Sequence, residues 1–289
     1  MIYASGADYL AAAHKRVLLF GMSGLGKTHL STLLRDTQTT GGGWFHYSVD
    51  YRIGTRYMGE FIADNFKREA MKVPLLRELL MTDSVYIASN ITFENLAPLS
   101  TYLGKPGDPA KGGLQFAEYV VRQDQHRKAE VAAMLDTVHF MARAEDIYGY
   151  QNFVCDTSGS ICEVVDATDP DDPVMRQLSD TVLLVWINGS EDHTAELVRR
   201  FDRAPKPMYY QPDFLQATWE DYCATNSKTE ENCDPDHFVR WTYSRALAHR
   251  QPRYAAMANW GVTVMAEEVV TVTTPEGFNA LIARAIDRR

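Results

Sequence analysis

The chain has no apolar run approaching the roughly 18 residues a membrane-crossing helix needs. Its first residues, MIYASGADYLAAAHKR, carry no basic leader followed by an apolar stretch. A cytoplasmic protein without membrane partners is therefore expected. Cysteine is scarce: Cys155, Cys162, Cys223 and Cys233 are the only four in 289 residues, none in C-x-x-C spacing and all among acids rather than histidines. That argues against a disulfide framework or a cysteine-held metal. Excess positive charge is missing too, since 29 lysines and arginines face 38 aspartates and glutamates for a net charge of −9. A nucleic-acid partner is not expected, because such binders gather basic side chains on one face. No internal repeat is visible. What remains is 45% hydrophobic and 23% charged, an ordinary globular balance. The length suits one α/β core carrying insertions.

The most specific local pattern is GMSGLGKT at residues 21–28, which satisfies G-x-x-x-x-G-K-[ST] through Gly21, Gly26, Lys27 and Thr28. It follows RVLLF, which reads as a buried parallel strand, and opens KTHLSTLLRD, which places Leu30, Leu33 and Leu34 on one helical face. Glycines let successive backbone N–H groups turn inward around phosphate oxygens, and the helix points its positive end at the same charge. Gly21, Met22, Ser23, Gly24, Leu25, Gly26, Lys27, Thr28 and His29 are the expected nucleotide-binding residues, with Lys27 on the β and γ phosphates and Thr28 on magnesium.

Beyond a turn at TTGGG, the segment WFHYSVD has strand character and delivers Asp50 to the carboxyl edge of a second parallel strand. Arg52, Arg56, Lys67 and Arg68 follow in a helical pattern, where a solvated face explains them as well as substrate contact does. Residues 70 to about 150 read as mostly helical, an acceptor cap spanning 60–150. FVC followed by Asp156, Thr157, Ser158 and Gly159 reads as a third strand ending in an acid. In a phosphate-loop protein an acid there joins the magnesium shell, though Asp-Thr-Ser-Gly also suits an ordinary turn. DTVLLVWING is a buried strand, and Ser190 starts a helix whose Arg199 and Arg200 complement its dipole. Residues 209–244 look polar, with an exposed loop at ATNSKTEENCDPD, inside a lid and inserted loop spanning 199–255. A helix, the strand GVTVM and a closing helix complete a single domain, 1–289, with a parallel three-layer sheet of the P-loop NTPase kind.

The order of parts resembles shikimate kinase and the related nucleoside monophosphate kinase-like group. HYSVDYRIG is similar to that family's strand ending in D-x-D, with Asp50 matching the second acid and Ser48 replacing the first. VLLVWINGSEDHTAELVRRFDRAPKPM is similar to its strand, helix and lid arginine, with Arg203 the nearest counterpart. RALAHRQPRYAAMANWGVTV resembles its R-x-P-x-Y segment, with Arg250, Pro252 and Tyr254 at the same spacing. A basic helix face accounts for Arg250 equally well. The family's glycine triplet after strand three stands here as Thr157, Ser158 and Gly159.

The resemblance implies an ATP- and magnesium-dependent kinase for a small-molecule hydroxyl acceptor. Lys27, Asp50 and Arg203 would act in catalysis, Arg199 near the nucleotide, Thr28 and Asp156 on magnesium, and Asp50, Arg56, Ser158, Gly159 and Arg250 on the acceptor. Two rival readings stay open. One is an ATPase or nucleotide-gated regulator whose insertions bind a protein partner, and the other is a binding module without transfer chemistry, which Ser48 in place of an acid keeps alive.

Overall fold

The computed structural model describes residues 2–37 and 43–289. The expected turn at TTGGG lies outside these except for Gly43. In chain order the first elements are α1 (Gly6–Ala11), β1 (Arg16–Phe20), α2 (Lys27–Asp36), β2 (Trp44–Ser48), α3 (Val49–Arg52), α4 (Gly59–Ala70), α5 (Pro74–Met81), α6 (Ala97–Leu103) and α7 (Phe116–Leu135). Then come α8 (Thr137–Tyr148), β3 (Asn152–Asp156), α9 (Ile161–Val164), α10 (Pro173–Thr181), β4 (Leu183–Asn188), α11 (Glu191–Arg203), α12 (Pro212–Thr225), α13 (Pro235–Ala258), β5 (Val262–Met265), α14 (Ala266–Val270) and α15 (Pro275–Asp287).

Two compact units divide this chain, where one core was expected. The first takes Met1–Val49, Val131–Ala204 and Arg240–Arg289, and the second Asp50–Glu130 and Pro205–Val239.

The first unit holds an all-parallel sheet in the order β2-β3-β1-β4-β5. Its central strands are apolar on both faces because helices cover both. Val17, Leu18, Leu19 and Phe20 of β1 and Leu183, Leu184 and Val185 of β4 are fully buried. Adjacent residues of β2 show the two faces. Trp44 meets Phe278 of α15 edge-on at 5.7 Å between ring centres, while Phe45 stacks toward Phe140 of α8 at 6.4 Å. Right-handed crossovers put α2, on the way from β1 to β2, opposite the helices that lead from β3 to β4. The result is a three-layer α/β arrangement. The chain leaves β1 toward one edge and β4 toward the other, so a topological switch point falls between the carboxyl ends of these neighbours.

The second unit is helical among its described residues, apart from an isolated bridge between Pro106 and Leu114. Arg122 ties three of its segments together, donating to Glu118, to the Tyr102 carbonyl and, at 3.0 Å, to Asn65 Oδ1. Gln123 joins the two stretches of chain: its Nε2 donates to Met208 O at 3.0 Å and its Oε1 accepts from Tyr210 N at 2.9 Å. The polar stretch 209–244 is largely helix, α12 and the start of α13, with the loop expected at ATNSKTEENCDPD falling between these two helices. Leu215, Thr218, Trp219 and Tyr222 form a buried stripe at helical spacing, and Phe238 packs edge-on against both Trp219 and Tyr222. The helical reading of 70–150 breaks at residues 85–96, which adopt neither helix nor strand.

Candidate functional site

The site grows from the carboxyl end of β1. Gly21, Gly24 and Gly26 hold φ of +138°, +88° and +96°, a region that side chains disfavour. A Cβ on Gly21 would lie 2.5 Å from the Ile187 carbonyl oxygen, which shows how closely the loop hugs β4. Gly26 caps α2 in a left-handed conformation, with no side-chain capping bond and no acid in the first turn. The chain thus leaves the positive end of α2 without a negative side chain of its own in that turn, the arrangement that favours an anion. Lys27, 6% exposed, donates from Nζ to Gly21 O at 2.8 Å and Met22 O at 3.0 Å. Its ammonium is curled over the loop while Thr28 and His29 are exposed.

Turns from neighbouring strands flank this loop. A Cβ on Gly159, after β3, would lie 3.2 Å from Ser23 N, and one on Gly189, after β4, would lie 3.1 Å from a Leu25 methyl. Asp156 ends β3 in register with Leu19 of β1 and Ser48 of β2. It is 6% exposed, with His46 Nε2 3.8 Å from its Oδ2. Thr157 donates through both N and Oγ1 to Leu19 O, which fixes the turn to β1. Ser158 and Ser160 share a hydroxyl contact of 3.0 Å.

From behind, α13 closes the site. Arg250 is 4% exposed, so the solvated basic face offered as one reading of it is not what the fold makes. Its Nε donates to Glu163 Oε1 at 2.8 Å, and His249 Nδ1 stands 3.7 Å from the same oxygen. Burial alone would raise the Glu163 carboxyl, but the Arg250 guanidinium, with a hydrogen bond from His249 beside it, outweighs burial and holds the group below its ordinary value. Tyr254 Oη donates to Gly159 O, and burial pushes that phenol well up, keeping it a donor. Its ring centre lies 6.3 Å from that of Phe20 and 6.5 Å from that of Trp186. Gln251 Nε2 reaches Met22 Sδ at 3.4 Å.

Of the residues singled out in the sequence, the first unit brings together the loop 21–28, Asp156, Ser158, Gly159 and, behind them, Arg250. Asp50 follows β2 as the second residue of α3 rather than ending the strand, and with Arg56, in the π-helical turn Ile53–Tyr57, it belongs to the second unit. The first unit's site is built without these two. Arg199 is exposed and paired with Glu196 at 2.7 Å. Leu197 is the α11 residue against the loop, its methyl 3.1 Å from a Cβ on Gly24. Arg203 is exposed six residues further on, about 9 Å of helical rise. Sequence reasoning passed over Glu163, Gln251 and His46. A lone acid inside the apolar ICEV was the available signal for Glu163, whereas Gln251 and His46 carried none.

No family model, curated protein or solved structure matches this chain.

Proposed function

We propose that the first unit binds ATP with magnesium at Gly21–Thr28, and that the protein transfers the terminal phosphoryl group to a hydroxyl of a small-molecule acceptor, as a P-loop kinase resembling shikimate kinase. The observation that carries this reading is Lys27 curled onto the carbonyls of a positive-φ glycine loop, at the switch point of a parallel sheet and the uncapped start of α2. Entering phosphate would take the ammonium from Gly21 O and Met22 O. Thr28 and Asp156 are the oxygen donors that suit magnesium. Among the described residues no group of three or more His, Cys, Asp or Glu is placed to hold a metal ion. That donor set fits an ion completed by nucleotide phosphates and water rather than caged by protein. Magnesium would neutralise phosphate charge. The first unit's own contribution is positioning and electrostatics: the loop amides and Lys27 would orient the chain of phosphates while the acceptor's oxygen bonds to phosphorus, its proton passes to solvent and the bond to ADP breaks. Arg203, exposed at the end of α11, would lend positive charge to the transferred group.

The test is ADP release from magnesium ATP with fractionated small metabolites added, comparing wild type with Lys27→Ala. Release that depends on one fraction and falls about 100-fold or more in the variant supports the kinase. Equal release by both proteins overturns it.

A second reading, an ATPase or regulator working through a protein partner, draws on α5. This apolar helix buries no residue, and Leu75, Met81 and nearby Tyr86 are 65%, 72% and 89% exposed. Such a patch suits contact with another protein. ADP release that requires a protein fraction and ignores every small metabolite selects that reading.

A further inference from the structure

Arg250 sits where the resemblance implies an acceptor-binding arginine, yet its guanidinium is buried against Glu163. Four ties join α13 and the residues just after it to the segment following β3. Arg250 and His249 meet Glu163, Tyr254 meets Gly159 O, and Trp260 Nε1 donates to Ala167 O at 2.8 Å. Glu163 and Gly159 lie within seven residues of Asp156, and Gly159 stands against Ser23 of the loop. Through Gln251 and Met22 the same helix face touches the loop itself.

We infer that Arg250, Glu163 and Tyr254 form a clamp that sets the turn carrying Asp156, and that they are positioning residues for the magnesium side of the nucleotide site rather than an acceptor grip. The inference rests on the proposed nucleotide reading. A buried cation paired with a carboxylate fixes two backbones at a defined separation, because neither charge can move without leaving its partner desolvated. The tyrosine hydroxyl adds a directional bond to the turn's own carbonyl. Pro252 lies between them in the helix and removes the N–H that Ala248 O would otherwise accept, which loosens the helix just where the clamp must fit the turn.

Tyr254→Phe deletes one hydroxyl and keeps the ring between Phe20 and Trp186, while Arg250→Lys keeps a cation opposite Glu163 but loses the Nε donor. Two measurements apply to each variant: amide hydrogen exchange on the nucleotide-free protein, and calorimetric titration with ATP in chelator and then with magnesium. The clamp requires exchange over residues 157–163 to quicken about tenfold, with β4 unchanged. ATP affinity in chelator should stay within about twofold of wild type, while the gain on adding magnesium shrinks about fivefold. Unchanged exchange at 157–163, an unchanged magnesium gain, or an equal fall in both titrations overturns the positioning role. Failure of the nucleotide reading looks different: wild type and Lys27→Ala then titrate alike, and quickened exchange alone reduces the clamp to a tie of the fold.

Discussion

Gly21 and Gly24 both stand at positive φ in one loop, yet alanine at the two positions should have unequal effects. At Gly21 the φ of +138° belongs to a region open almost only to glycine, a cost of about 1–3 kcal/mol for any other residue. The added Cβ would lie 2.5 Å from the carbonyl oxygen of the buried Ile187, a backbone atom of β4 that cannot turn aside. Relieving that overlap by a backbone shift adds about 1–3 kcal/mol. At Gly24 the φ of +88° costs about 1–2 kcal/mol, but the nearest atom is a Leu197 methyl at 3.1 Å, the far end of a flexible side chain. Gly21→Ala should therefore destabilise the first unit by about 2–3 kcal/mol more than Gly24→Ala. The loop must also move away from β4, so magnesium ATP affinity should fall about 100-fold in Gly21→Ala and no more than about tenfold in Gly24→Ala. Urea unfolding followed by tryptophan fluorescence, paired with calorimetric ATP titration, reads both quantities. Equal destabilisation by the two substitutions, or greater damage from Gly24→Ala, refutes the reasoning.

Glu163→Gln should cost about 3–5 kcal/mol near neutral pH, because Arg250 is left buried without its carboxylate. The folded carboxyl lies below its ordinary value, so its contribution is present above the unfolded pKa of about 4.3 and is lost as pH falls through the lower folded one. The variant's acid limb should accordingly be flatter than wild type's in unfolding measured from pH 7 to 3, and a parallel limb contradicts the pairing. In the second unit, burial lowers His126 from 6.5 to about 4, although Glu130 Oε2 stands 3.6 Å from its Nδ1. A histidine kept neutral by the fold adds stability that is whole above pH 6.5 and drains away toward pH 4, at most about 3 kcal/mol. His126→Gln should remove that part of the loss between pH 7 and 4; an unchanged pH dependence refutes the burial shift, and a steeper loss in the variant shows that Glu130 instead holds the ring protonated.

The legible parts of the fold were those whose physics is local. β1 and β4 are covered on both faces, so VLLF within the first and LLVWI within the second are unbroken apolar runs, and strand, glycine loop and helix follow one another directly. Ser190 capping α11 was equally readable, since its hydroxyl accepts from His193 N only three residues away. α12 escaped because its buried stripe is diluted by acids and amides on the other face, giving a mixed composition that resembles a loop. Two stretches of 81 and 35 residues also carry enough aromatic area to build a core of their own, and no composition shift marks where the first unit hands over to the second.

The site divides along the same line. Lys27 bonds carbonyls within six residues and the three glycines set their own backbone at positive φ, so the local spacing already encodes the loop. Arg250 and Glu163 are 87 residues apart, and nothing in either neighbourhood announces that both are buried. Charge in a sequence reads as a solvated face until a partner is known to desolvate it, because the cost of burial is offset only by that partner. The same arginine at the same R-x-P-x-Y spacing can therefore point at a ligand's carboxylate or at the chain's own. In this chain the carboxylate is already supplied by Glu163, seven residues after Asp156, so a single salt bridge turns a segment that resembles a substrate grip into a support for the acid beside the glycine loop.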